Sequence, residues 1–140
     1  MNENECNSLL NVLGLNSHRI SELNFLGSDS KNVIKKAALE LANKLSIKIN
    51  IHTRTGSAWS DGEESIFAPS FRIEPQTLTG AGDSWDSANI IAYMIELDEE
   101  ERSIFSNAYA ALYVANPLSE PATINETIEF IEKNVHSFSD

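Results

Sequence analysis

Apolar residues recur with a helical period at both ends of the chain and with a strand period between them. Leu9, Leu10 and Leu13 fall on one side of a short helix predicted over 4–13. Val33, Ala37 and Leu41 repeat at i, i+4 and i+8, with Ile34, Ala38 and Leu45 alongside, which predicts a second helix over Ser30–Leu45. Ser28 or Ser30 can cap it. The intervening stretch, 14–30, is rich in Gly, Asn and Ser and reads as loop or fragmentary helix. At 47–52 the period changes to two: Ile47, Ile49 and Ile51 alternate with polar residues, as in a half-buried strand. Residues 55–62 predict a strand ending in an Asp61-Gly62 turn. A further extended stretch runs over 66–73, and Pro69, which cannot donate to a ladder, argues for an edge position.

The remainder is helical. Trp85, Ala88, Ala92 and Ile95 share a face over 80–95, and Ile104, Ala108, Ala111, Leu112 and Ala115 over Glu99–Ala115, where Asn116-Pro117 ends the helix. Thr123 and Glu126 fit a capping box ahead of a closing stripe of Ile124, Ile128, Ile131 and Val135. There is no internal repeat. Helix and strand alternating early, with helices late, predict one α/β domain in which helices pack on a small sheet.

Charge narrows the range of functions. The 140 residues carry a net charge of −11, concentrated after residue 54, where three Lys/Arg face sixteen Asp/Glu. Such a surface excludes a nucleic-acid footprint or an anionic-membrane partner. A phosphorylated ligand would have to be held locally, by backbone N–H groups and a metal ion. No apolar run is long enough to span a bilayer. The first eleven residues are polar and acidic, unlike a signal peptide, and the lone Cys6 allows no internal disulfide. A cytoplasmic location is expected. Cys6 reads as a buried or inert thiol. His18, His52 and His136 lack metal-ligand spacing. Trp59 and Trp85 read as packed aromatics, as do Tyr93, Tyr109 and Tyr113. The run Asp98-Glu99-Glu100-Glu101 reads as a solvated first helical turn.

The segment with candidate chemistry is TLTGAGDSW, 77–85. Small residues let the backbone approach a ligand closely. The first N–H groups of the helix that follows have no intrahelical partner and favour an anion. Such a turn can hold the charge of a phosphoryl group in transfer, and Asp83 within it could accept a proton from an attacking hydroxyl. The residues alone leave a second reading open, a loop whose aspartate caps the helix. No G-x-x-x-x-G-K-[ST] segment occurs, so a P-loop is excluded as the phosphate site.

With its aromatic Trp85, TGAGDSW resembles the second signature of the PfkB/ribokinase family of carbohydrate kinases, D-T-x-G-A-G-D-x-F. The surrounding order is similar too. Asn2 and Glu5 match an N-x-x-E motif, His52-Thr53-Arg54-Thr55-Gly56 follows a strand, and Phe105-Ser106-Asn107-Ala108-Tyr109-Ala110-Ala111 lies downstream. The resemblance covers nearly the whole chain. It implies the C-terminal part of a ribokinase-like three-layer α/β fold, so that 1–140 form a single partial domain. It also implies phosphoryl transfer from a nucleotide to a sugar-type hydroxyl. Asp83 would be the base, and Gly80, Ala81 and Gly82 the anion hole. Asn2 and Glu5 would organise Mg²⁺ through water. Thr53 and Gly56 would line the nucleotide phosphates and ribose, and Asn107 would lie near the adenine. ATP is the implied donor, with ADP open because His52-Thr53 is similar to archaeal ADP-dependent members. Thr77 stands where many members have a cation-site aspartate, so potassium dependence is not expected. Family members are roughly twice this length, so the chain reads as a fragment, a truncated form or a naturally split half, with surfaces prone to self-association. Two other functions compete with the kinase: a nucleotide-binding module inactive on its own, and an interaction domain in which 80–83 are only a capped turn.

Overall fold

The computed structural model describes residues 1–15 and 30–134. In chain order these form α1 (Glu3–Val12), α2 (Ser30–Leu45), β1 (Ile49–His52), β2 (Gly56–Ser60), β3 (Ser65–Pro69), α3 (Ala81–Met94), α4 (Glu99–Ala115) and α5 (Ile124–Asn134). The strands make one sheet in the order β1-β2-β3. The chain divides into two compact units, Met1–Phe67 and Ala68 onward. Ser28, His18, His136 and Val135 lie outside the described residues.

In the first unit the core gathers Cys6 and Leu10 of α1, Ile34, Ala37, Ala38, Leu41 and Ala42 of α2, and Ile49, Ile51 and Ala58 of the strands. The alanines on α2 let the helix backbone come close to the sheet, and full burial of Ile51 alone stabilises by about 1.5–3 kcal/mol. β1 and β2 run antiparallel with Ile49 opposite Ser60 and Ile51 opposite Ala58. Ile47, expected in the strand, is 54% exposed. The chain leaves α2 through Ser46 at φ +56° and Ile47 still donates back to Ala42 O, so β1 starts two residues later. The Asp61-Gly62 turn forms as expected: Asp61 accepts from the N–H groups of Glu63 and Glu64, and Gly62 takes φ +100°. The outer side of β1 also pairs with the chain start, Met1 donating to Asn50 O at 3.0 Å and accepting from His52 N–H at 2.9 Å.

In the second unit α3 and α4 form a helical hairpin. Ala88, Ala92 and Phe105 pack in one cluster, and Phe71, Ala108 and Ala111 in another. Asp98 and Glu101 cap α4 reciprocally, and Thr123 and Glu126 do the same for α5. Between α3 and α4 sits the buried Arg102, 2.6 Å from Glu99, donating to Asn89 Oδ1 and lying 5.2 Å over the Tyr93 ring. A buried guanidinium needs such partners. The closing stripe is corrected: Ile124 and Ile128 are each 44% exposed, while Thr127 is fully buried. The inward face of α5 centres on Thr127, Phe130 and Ile131, with the Thr127 hydroxyl returned to Thr123 O and the Phe130 ring 5.0 Å from Phe71. Ile95, expected on the buried face of α3, is exposed because it is already the C-cap.

Candidate functional site

The strongest candidate lies at the start of α3. Gly80 is the N-cap, at φ +84° and ψ 0°, and no side chain caps the helix. A left-handed residue there favours glycine. A second reason is steric: a methyl group built on Gly80 would lie 2.7 Å from the Tyr113 hydroxyl oxygen and 3.2 Å from its ring. Ala81, Gly82 and Asp83 form the first turn, and Ser84 closes it by donating to Gly80 O. The N–H groups of Gly82 and Asp83 precede the first closed helical bond, so they are available to an anion under the positive end of the helix dipole. Asp83 is exposed, and its carboxylate makes no hydrogen bond among the described residues. It does not act as the N-cap, which answers the capping alternative raised by the sequence. Upstream, the N–H groups of Gln76 and Thr77 both donate to Val114 O, tying the approach to the turn onto the end of α4.

Asn107 sits elsewhere in the same unit and is 7% exposed. Its Oδ1 accepts from the Trp85 indole at 2.8 Å, and its Nδ2 donates to the carbonyls of Ala68 and Pro69 at 3.0 Å each. Both amide hydrogens are therefore used internally, where the resemblance implied a place beside the adenine. Nothing local in the sequence signals this latch, except that a buried indole needs an acceptor.

The first unit holds the other four residues. Asn2 caps α1, its Oδ1 accepting from the N–H groups of Asn4 and Glu5, while Glu5 Oε2 accepts from Asn2 N–H. The N-x-x-E motif is thus a complete capping box. One oxygen of the exposed Glu5 remains outside it. A single carboxylate suits Mg²⁺ held largely by water and phosphate, and no group of three or more His, Cys, Asp or Glu among the described residues could form a denser cage. Thr53 and Gly56 close the β1–β2 hairpin: Thr53 N–H and its hydroxyl both donate to Gly56 O, at 2.8 and 2.9 Å. The Met1–His52 pairing brings Asn2 and Thr53 to the same end of β1. Cys6 is buried, and burial pushes its thiol up to about 11, as expected of an inert cysteine.

Comparison with known proteins bears on this arrangement. No family-wide sequence profile matches the chain. Ribokinase of Bacillus subtilis (strain 168) is 35% identical over 63 residues, 45% of this chain and 22% of that protein. The crystal structure of ribokinase from Cryptococcus neoformans var. grubii serotype A in complex with ADP superposes with a TM-score of 0.75 over 91% of this chain, at 20% identity. The fold is ribokinase-like. The structure of Arabidopsis thaliana ribokinase complexed with ribose and ATP matches at a TM-score of 0.62 and 22% identity over 72% of the chain. This ribokinase-like chain covers 42% of the former structure and 34% of the latter, so it spans well under half of the proteins it matches. Among its described residues no helix is long and apolar enough to cross a membrane.

Proposed function

We propose that the chain is the nucleotide-binding and catalytic part of a carbohydrate kinase, transferring the terminal phosphoryl group of ATP to a sugar-type hydroxyl. The observation that carries the reading is the start of α3: a glycine N-cap with no side-chain cap, N–H groups of Gly82 and Asp83 ahead of the first closed helical bond, and an exposed, unengaged Asp83. Asp83 takes the proton of the acceptor hydroxyl as its oxygen bonds to phosphorus and the bond to the departing nucleotide breaks. The turn over Gly80, Ala81 and Gly82 forms the anion hole, and the N–H groups of Gly82 and Asp83 hold the phosphoryl oxygens during transfer, Ala81 N–H being donated to Leu78 O. Thr53 and Gly56 line the nucleotide phosphates, and Asn107 supports the wall near the adenine through Trp85 rather than by bonding the base. Mg²⁺, when bound, neutralises phosphate charge, and Asn2 and Glu5 would hold it through water. The resemblance to a ribokinase crystallised with ribose and ATP supports this substrate class, and one crystallised with ADP keeps ADP in view as a donor.

The test is Asp83→Asn, assayed for phosphorylation of a sugar panel and for nucleotide binding. Turnover should fall by about 10²–10⁴, with nucleotide affinity nearly unchanged; undiminished turnover would remove Asp83 from the chemistry. A second reading is favoured by the short coverage of the relatives and by apolar residues left in solvent on α3, Ile90 at 61% and Met94 at 74% exposed. Here the chain binds nucleotide but transfers nothing until the rest of the fold is supplied, and alone it self-associates through that surface. Nucleotide would then raise the melting temperature while no sugar is phosphorylated.

A further inference from the structure

Tyr113 was expected only to pack. It stands in the last turn of α4, half-buried, and its hydroxyl makes no hydrogen bond among the described residues. Its ring edge and hydroxyl instead occupy the space where a side chain on Gly80 would be, 2.7 Å from that methyl position at the oxygen and 3.2 Å at two ring carbons. The next residue, Val114, accepts from both Gln76 and Thr77 N–H at 2.8 and 3.2 Å. One turn of α4 therefore grips the approach to α3 twice, by backbone at 76–77 and by an aromatic ring at Gly80.

We infer that Tyr113 is the positioning residue of the anion hole. Its ring fixes the left-handed Gly80 turn and so aims the N–H groups that follow. This rests on the proposed function, because the direction of those groups matters only if they hold the transferred phosphoryl group. A left-handed glycine has wide conformational freedom and does not hold its own dihedral. The Val114 bonds fix the chain three residues upstream, and the bond from Ser84 N–H holds the Gly80 carbonyl at 2.9 Å, which leaves the φ side of the glycine to its neighbours. Ala81 N–H also donates across Gly80 to Leu78 O at 3.4 Å, and the Tyr113 ring is the side chain set against the glycine within this frame. The phenol oxygen adds reach to that contact, but the planar ring carries it, so phenylalanine should serve nearly as well.

The experiment compares Tyr113→Phe, Tyr113→Ala and Tyr113→Leu in the full chain by calorimetric titration with ATP, ADP and AMP in the presence of Mg²⁺. Leucine keeps apolar volume at the end of α4 while withdrawing the atoms that reach Gly80, so it stands in if the alanine variant does not fold. The expected result is a selective loss. Ala and Leu should weaken the nucleotide carrying the transferable phosphoryl group by about tenfold, the equivalent of one oriented hydrogen bond. The nucleotide one phosphate shorter should bind unchanged, and Phe should match the wild type. A general packing role would lower stability without changing the affinity ratio between the two nucleotides. An unchanged ratio in both Ala and Leu, or a Phe variant that behaves like Ala, overturns the assignment while nucleotide binding stands. If the wild-type chain binds none of the three nucleotides, the underlying reading falls and this inference falls with it.

Discussion

Replacing Asn107 by alanine removes three hydrogen bonds at once, and the structure indicates what each loss costs. The Trp85 indole N–H, in a residue 4% exposed, is left without an acceptor. The Ala68 carbonyl loses its donor in a buried setting, whereas the Pro69 carbonyl is partly exposed and can turn to water. Two orphaned buried groups at about 1–3 kcal/mol each put the change at about 3–4 kcal/mol, a large share of the 5–15 kcal/mol typical of a domain. At this size the melting temperature should drop on the order of 10 °C. Urea unfolding followed by tryptophan fluorescence gives the free energy directly. Asn107→Asp sharpens the test, because it preserves shape and the acceptor for Trp85 but offers no donor to the two carbonyls, so it should be at least as damaging as alanine. Trp85→Phe should cost less, about 1–2 kcal/mol, and its combination with Asn107→Ala should be sub-additive by about 1 kcal/mol. An Asn107→Ala midpoint equal to wild type would show that the latch is not a structural element and would return Asn107 to the pool of ligand contacts.

Two further outcomes follow from the local electrostatics. The Thr123 N–H and hydroxyl hold Glu126 below its ordinary 4.5, so its contribution is present above that value and is lost as pH falls through the lowered one. The stability gap between wild type and Glu126→Gln should therefore be constant near neutrality and close as pH falls below the ordinary 4.5 and through the lowered value, a trend that thermal melts across pH can check. Cys6, with its thiol raised to about 11 by burial, should resist a thiol reagent at neutral pH in the native chain and react at once in denaturant; rapid native labelling would contradict its placement under α2.

Helix limits were legible where a local signal marks them. The acidic run at 98–101, read as a first turn, and Asn116-Pro117 bracket α4, and the spacing from Val33 to Leu45 yields α2 with the limits observed. The Gly-Ala-Gly-Asp segment was legible as a turn opening a helix, since its backbone geometry is local to four residues. The misreadings came from treating apolar identity as burial. Ile124 and Ile128 lie on the outer side of α5 because the inward position is taken by Thr127, a residue the hydrophobic pattern does not count, whose hydroxyl is satisfied one turn back. Tyr113 against Gly80, and Asn107 between Trp85 and the carbonyls of Ala68 and Pro69, join residues 22 to 39 positions apart or across a helix hairpin. Such pairs are set by how the elements pack, and no periodicity encodes them.

The N-x-x-E motif is a capping box in this chain, and the metal role proposed for it can be tested apart from the cap. Asn2 and Glu5 satisfy each other's backbone N–H groups, which is sufficient to explain their presence at the start of α1. A metal role needs something the cap does not, the formal charge of the carboxylate. Glutamine at position 5 keeps the acceptor for Asn2 N–H, because Gln serves in a capping box as Glu does, yet it removes that charge. Glu5→Gln should therefore leave the unfolding free energy of the metal-free chain within about 0.5 kcal/mol and abolish the part of nucleotide affinity that depends on Mg²⁺. Asn2→Ala provides the reciprocal comparison, since it removes the cap itself and should cost about 1 kcal/mol in the metal-free chain. If Glu5→Gln keeps full Mg²⁺ dependence, the motif is a helix cap alone, and the carboxylate that attends the metal has to be sought elsewhere.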